Sequence, residues 1–310
     1  MKVLNCYRKD LMKDGSPCAG YRYIAVNEKN QGGNKQMKIS CVKAVFYSAT
    51  GNTEGVVTAI AEKIAGKLGV PMETYDFTLP GNRTEEQTYS PSDLVVFGTP
   101  VYAGRVPNKM LPIVQNHFKG EGALAVPVVT FGNRNFDNGL IELRNELENN
   151  GFHTVAGAGF AVNHVFSDKI APGRPDEKDQ EIMAQFAEQV ADKVEKMESI
   201  PEPIAVRGDD PVGPYYTPLG TDGKPAVFLK AKPKTKPEAC DGCGICVDAC
   251  PVGSISKEDP KEVPGICIKC QACVKKCPTG AKYFDDPAFL SHVAMLEQNY
   301  TRRAEAETFV

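Results

Sequence analysis

From residue 41 to residue 197 the chain alternates short apolar runs with stretches whose apolar positions recur every three or four residues. Cys41-Val42-Lys43-Ala44-Val45-Phe46-Tyr47 reads as a strand, and the amphipathic stretch from Asn52 to Leu68 reads as a helix. A short strand near Pro71 to Asp76 and a variable segment come next, then a strand at Asp93 to Phe97 and a helix from Pro107 to Phe118. The pattern continues with a strand from Ala123 to Thr130, a helix from Gly139 to Asn150, a strand near His153 to Val162 and a helix from Pro175 to Met197. On the last helix Ile182, Phe186, Val190 and Val194 stand four apart and mark one buried face. Five strands alternating with helices predict an α/β domain with a doubly wound, five-stranded parallel sheet and right-handed crossovers.

The pattern fails on either side of this block. Asn27 to Gln36 is polar throughout, so residues 1–36 read as a disordered extension or a misassigned start. Gln31-Gly32-Gly33 is compatible with codons resembling a ribosome-binding sequence, which makes Met37 the expected native start of a domain spanning 37–199. Residues 200–236, rich in proline and glycine, read as a linker. Its middle, Pro214-Tyr215-Tyr216-Thr217-Pro218, is too aromatic for a purely solvated spacer and is expected to pack on a domain. Lys230, Lys232, Lys234 and Lys236 read as a solvated face. A second, small domain is expected at 237–286, with a helical tail at 287–310.

Composition narrows the function classes. The 310 residues carry a net charge of −3, which gives no electrostatic case for nucleic acid. No apolar run is long enough to span a bilayer, and the first ten residues lack the apolar core of a signal peptide. A reducing, cytoplasmic setting is therefore expected, with thiols rather than disulfides.

Eight of the 11 cysteines then stand out. They form Cys240-x-x-Cys243-x-x-Cys246-x-x-x-Cys250-Pro251 and, again, Cys267-x-x-Cys270-x-x-Cys273-x-x-x-Cys277-Pro278. Structural zinc sites use two separated Cys-x-x-Cys pairs, whereas this spacing is that of a two-cluster iron–sulfur protein. Residues 237 to 286 resemble bacterial-type ferredoxins with two 4Fe-4S clusters. In that arrangement the fourth cysteine of each run serves the other cluster. The resemblance thus implies one cluster on Cys240, Cys243, Cys246 and Cys277, and another on Cys267, Cys270, Cys273 and Cys250.

A second constellation follows the first strand: Ser48-Ala49-Thr50-Gly51-Asn52-Thr53. A hydroxyl-rich turn at a helix N-terminus offers amides, hydroxyls and a positive helix end to a phosphate. No lysine follows the glycine, against a nucleoside-triphosphate P-loop, and no Gly-x-Gly-x-x-Gly is present, against a dinucleotide fingerprint. The run looks like the first loop of a flavodoxin. That resemblance implies FMN, its phosphate on Ser48, Thr50, Gly51, Asn52 and Thr53. It also implies flavin-ring contacts from the loops after the third and fourth strands: Thr99, Pro100 and Tyr102, then Gly132, Asn133 and Phe136. Tyr102 and Phe136 are the expected stacking residues. The chain has no tryptophan, so the indole that often covers FMN in flavodoxins is missing. His164 is expected to be a loop histidine satisfied by backbone, with a flavin contact as the alternative.

Over nearly everything beyond Met37 the chain resembles the flavodoxin–ferredoxin fusion proteins of anaerobic bacteria. The resemblance implies an electron carrier relaying between FMN, two 4Fe-4S clusters and redox partner proteins. Two alternatives are a flavin-dependent reductase of a quinone or nitro compound, fed by the clusters, and a ferredoxin with a flavin-free docking domain. The fold class expected is thus a flavodoxin-like α/β sheet followed by a small α+β two-cluster ferredoxin domain. No catalytic residue is assigned.

Overall fold

The computed structural model describes residues 38–310. The expectations for residues 1–36 and for a start at Met37, and the cysteines Cys6 and Cys18, lie outside the described residues.

The first half is a parallel sheet with helices on both faces. Its elements are β1 (Cys41–Phe46), α1 (Asn52–Leu68), β2 (Met72–Asp76), β3 (Asp93–Pro100), α2 (Leu111–His117), β4 (Leu124–Phe131), α3 (Gly139–Asn149), β5 (Gly157–Ala161) and α4 (Glu177–Glu195). The strand order is β2-β1-β3-β4-β5, all parallel, which is the flavodoxin-like doubly wound order. The chain reverses direction across β1 and β3, so the carboxyl ends of those strands open a crevice there.

Period-two alternation assigns the faces. Val42, Ala44 and Phe46 point to the core shared with Val56, Ile60 and Ile64 of α1 and Phe186, Val190 and Val194 of α4. Val45 and Tyr47 point the other way, to Val114 of α2 and Leu140, Leu143 and Leu147 of α3. α4 starts from a capping box in which Asp176 and Asp179 satisfy each other's backbone amides.

Two elements depart from the sequence pattern. The fifth strand is interrupted: His153–Thr154 pairs with the start of β4, and β5 resumes at Gly157. The tail from 287 is helical only through α7 (Pro287–Asn299). Beyond it Glu307–Phe309 forms an antiparallel edge strand on β5, against the small residues Gly157, Ala158 and Gly159. Arg303 anchors this return by pairing with Asp176 and Asp179, and the buried Arg174 donates to Ala304 O. Periodicity misses such a strand because its pairing is set by a sheet edge distant in sequence.

The small domain is built twice over. Short helices α5 (Ile245–Asp248) and α6 (Ala272–Lys275) follow equivalent cysteines, and Lys234–Thr235 pairs antiparallel with Lys282–Tyr283 across the domain. Among the described residues no helix is long and apolar enough to cross a membrane.

Candidate functional site

The duplicated cysteine runs fold into matching turns. Cys250 and Cys277 are each followed by proline, and the glycines three residues on, Gly253 and Gly280, take φ of 60° and 65°. Each turn aims an amide back at the sulfur: Ser254 N donates to Cys250 Sγ at 3.2 Å and Ala281 N to Cys277 Sγ at 3.3 Å. Lys269 N donates to Cys267 Sγ at 3.4 Å. Amides pointed at sulfur stabilise negative charge there.

The eight side chains gather into two sets that cross between the runs. Cys240, Cys243, Cys246 and Cys277 line one small concavity. Cys267, Cys270 and Cys273 are electrostatic neighbours of Cys250, the last cysteine of the other run. None of the eight is in a disulfide. Burial pushes the Cys270 and Cys273 thiols up to about 12, so as free thiols both would keep their protons at neutral pH. Among the described residues no three of these side chains close on a single metal ion, and four sulfurs spread around one hollow suit the larger iron–sulfur core, which takes up the thiolate charge. Lys282, its side chain buried, lies near both Cys246 and Cys273.

The two sets differ in surroundings. Cys243 is exposed, whereas Cys270 belongs to the same apolar core as Tyr47, Phe77 and Phe97 of the sheet domain, together with Ala249 and Ala272. Arg83 bolts this side down: Nη2 donates to Pro251 O at 2.7 Å and Nε to Phe77 O at 2.7 Å. We refer to the set with Cys250 as inner and the set with Cys277 as outer.

Beside the inner set lies a cavity of about 660 Å³, within the range of ordinary cofactor sites. Its walls come from the loops after β1, β3, β4 and β5, from the 215–229 segment, from α7, and from Ile266 to Lys269. Of the residues expected to hold a phosphate, Thr50, Asn52 and Thr53 line it. Ser48 and Gly51 shape the loop instead: Ser48 Oγ accepts from Glu54 N at 3.0 Å, and Gly51, at φ 90°, lets the chain turn into α1. The N-cap residue Gly51 offers α1 no side chain, and with Glu54 N held by Ser48 Oγ the amides of Asn52 and Thr53 are left for another acceptor. Thr53 Oγ1 is tied to Thr130 Oγ1 at 2.7 Å, and Asn52 Nδ2 donates to Asn163 O at 3.0 Å.

The ring-contact residues divide. Pro100, Tyr102 and Gly132 line the cavity, while Thr99, Asn133 and Phe136 do not. Asn133 has φ 69°, and its side chain turns to the C-terminal segment, donating to Tyr300 O and Arg302 O at 2.7 Å and accepting from Ala304 N at 3.0 Å. Phe136 is fully buried against Gly159, whose missing Cβ leaves room for the ring, and the Arg207 guanidinium lies 3.9 Å from its centroid. It stacks on a guanidinium, away from the cavity.

Residues of the linker, of the loop after β5 and of α7 complete the walls. Tyr215 and Tyr216 pack under Arg105 and Arg134, with guanidinium-to-centroid distances of 4.5 and 4.0 Å, and Tyr215 donates to Val106 O at 2.9 Å. The aromatic centre of the linker is thus pinned to the sheet domain, as its composition suggested, and the four linker lysines are exposed. His164 is satisfied by backbone, as expected. It lines the cavity, and its Nδ1 accepts from Phe166 N at 3.1 Å, which leaves the proton on Nε2. Burial lowers its pKa to about 4. His292, from α7, donates Nδ1–H to Leu219 O at 2.8 Å, and burial lowers its pKa too. A Cβ at Gly132 would lie 2.2 Å from the His164 ring, so the glycine is what lets that imidazole reach the wall.

Residues 239–281 match the family of 4Fe-4S dicluster domains. No curated protein matches the chain. Solved structures with a similar chain course include a flavodoxin from the domain Archaea (16% identity, 50% of this chain and 99% of that one, TM-score 0.34). Others are oxidised Flavodoxin 2 from Bacillus cereus (16%, 50% and 99%, 0.35) and rubredoxin oxygen:oxidoreductase from the anaerobe Desulfovibrio gigas (14%, 52% and 38%, 0.34). The assignment of the sheet stands on its own strand order. The chain therefore joins a flavodoxin-like sheet to a 4Fe-4S dicluster domain, a module of electron transfer.

Proposed function

We propose that the cavity holds FMN and that the protein relays electrons between this flavin, its two 4Fe-4S clusters and redox partner proteins. The observation that carries the reading is that one cavity is lined both by Thr50, Asn52 and Thr53 at the start of α1 and by Cys267, within the loop 266–269 of the dicluster domain. A flavin there would be a neighbour of the inner cluster. Bound FMN would supply one- and two-electron chemistry, and each cluster single-electron steps.

The protein's own residues have definable tasks in this reading. The amides of Asn52 and Thr53 at the start of α1 and the Thr50 hydroxyl receive the phosphate. Pro100, Tyr102 and Gly132 border the ring, and the 215–229 segment with α7 keeps water from it. The exposed Cys243 marks the outer cluster as the port for redox partners. A cytoplasmic, oxygen-poor setting suits thiols and clusters of this kind.

A second reading, reduction of a small acceptor such as a quinone or nitro compound, draws support from His164 and His292, which line the cavity with opposite hydrogen-bond character. Turnover with such acceptors separates it from the carrier. The test common to both is the absorption spectrum of anaerobically purified protein with iron, sulfide and released flavin assayed together. We expect about eight irons per chain, four per cluster, and one FMN. Eight irons with no flavin, even after incubation with FMN, would overturn the flavin reading and leave a ferredoxin with a docking domain.

A further inference from the structure

Tyr47 ends the run of β1 with a fully buried ring whose hydroxyl has no hydrogen bond of normal geometry among the described residues. Buried hydroxyls in native proteins are almost always paired, so an orphan asks for a missing acceptor. The phenol is packed in by Phe77, at 6.3 Å between centroids, and by Tyr102, edge-on at 6.5 Å. The one hydroxyl that reaches toward it is that of Tyr102, which acts as the donor and Tyr47 as the acceptor, so the Tyr47 proton itself has no acceptor.

What lies nearby is the inner cysteine set. Tyr47 shares its core with Cys270, Ala249 and Ala272, and with the partly buried Val252 and Ile268 that flank Cys250 and Cys267. Burial, followed by the negative charge of Cys270, holds the proton on the phenol, and Cys250 adds to this. Tyr102 responds to burial, Tyr47 and then Cys270 and Cys267, while also lining the cavity. Tyr102 thus touches Tyr47 on one side and the cavity on the other.

We propose that the Tyr47 hydroxyl donates a hydrogen bond to a sulfur of the 4Fe-4S cluster held by Cys250, Cys267, Cys270 and Cys273, and so raises that cluster's reduction potential above its value without the bond. A donor to sulfur favours the more negative, reduced cluster. Tyr47 is then a tuning residue for one cluster and silent toward the other. The inference rests on the cluster assignment and not on the flavin.

The test is a potentiometric titration of the full-length, cluster-loaded protein followed by electron paramagnetic resonance, with the outer signal identified by its loss in Cys243→Ala. In Tyr47→Phe the inner midpoint falls while the outer midpoint stays. Site-specific 3-fluorotyrosine at position 47, a more acidic donor of nearly the same size, moves the inner midpoint the opposite way, and keeps the test intact should Tyr47→Phe fail to assemble. Unchanged inner midpoints in whichever of these variants assemble, or a shift confined to the outer cluster, would overturn the proposal. Flavin content is assayed on the same samples, so absence of FMN counts against the flavin reading alone.

Discussion

The two cysteine runs have the same spacing and opposite surroundings. In the first, the residues flanking Cys243 are Gly242 and Gly244, with φ of 75° and 78°; in the second, Lys269 and Gln271 occupy the matching positions with φ of 58° and 64°. Glycine enters that left-handed region freely, whereas other residues need a surrounding structure that imposes it. The inner run has such a structure. Lys269 Nζ donates to Leu229 O at 2.5 Å and to Cys267 O at 3.0 Å, and Gln271 is buried. The outer run, left to solvent, relies on glycine. One position further on, Ile245 is 41% exposed and its counterpart Ala272 is 1% exposed. The same ligand geometry is therefore reached from local backbone freedom on one side and from packing against the sheet domain on the other.

The strongest way to break the comparison is to delete one ligand from each set. Cys243→Ala and Cys270→Ala should each lower iron from about eight to about four per chain. Their effects on folding should diverge. Cys243→Ala leaves the sheet domain's thermal transition unchanged, because Cys243 faces solvent. Cys270→Ala lowers that transition, since Cys270 is part of its core. Iron assay and calorimetry on both variants check this, and equal thermal shifts would remove the distinction between inner and outer.

The exchange of Ile245 and Ala272 probes the same contrast with no ligand touched. Ala272→Ile forces three more carbons into a filled junction and should cost about 1–3 kcal/mol in denaturant unfolding. Ile245→Ala removes an exposed side chain and should stay within about 0.5 kcal/mol. If both variants unfold alike, the junction near Cys270 is looser than its burial implies.

How much of this contrast was legible beforehand depended on whether a feature is local. The cysteine spacing, the five alternating strands and the hydroxyl-rich turn before α1 are written in neighbouring residues, and the described structure has corresponding elements for each. Phe136 and Asn133 follow a strand just as Tyr102 does, so position alone gave them the same role. What separates them is Gly159, Arg207 and the return of residues 300–304, none adjacent in sequence. Tyr47 read as one more strand aromatic, because an unpartnered hydroxyl becomes visible only once its neighbours are known. The linker's Tyr-Tyr pair was the one long-range hint that composition did carry.

The smallest expected effect concerns pH, and again only the inner side. His164 lines the cavity that borders the inner set, and burial, then the charges of His292, Arg134 and Lys275, lower its pKa from 6.5 to about 4. In the unfolded chain His164 takes up a proton near pH 6.5, whereas in the folded protein it does so only near 4. Its contribution to stability is therefore complete above about pH 6.5, falls as pH drops toward 4, and is constant below that. Removing the imidazole should flatten this slope. Denaturant titrations at pH 7.5 and 5.5 are expected to show His164→Gln losing less stability across the interval than the wild type. His292, lowered in the same direction and closing the same cavity from α7, keeps part of the slope in that variant, so the double substitution His164→Gln/His292→Gln should flatten it further. A slope unchanged by both substitutions would mean that the acid sensitivity of the fold comes from outside this cavity, with the inner and outer sides sharing it.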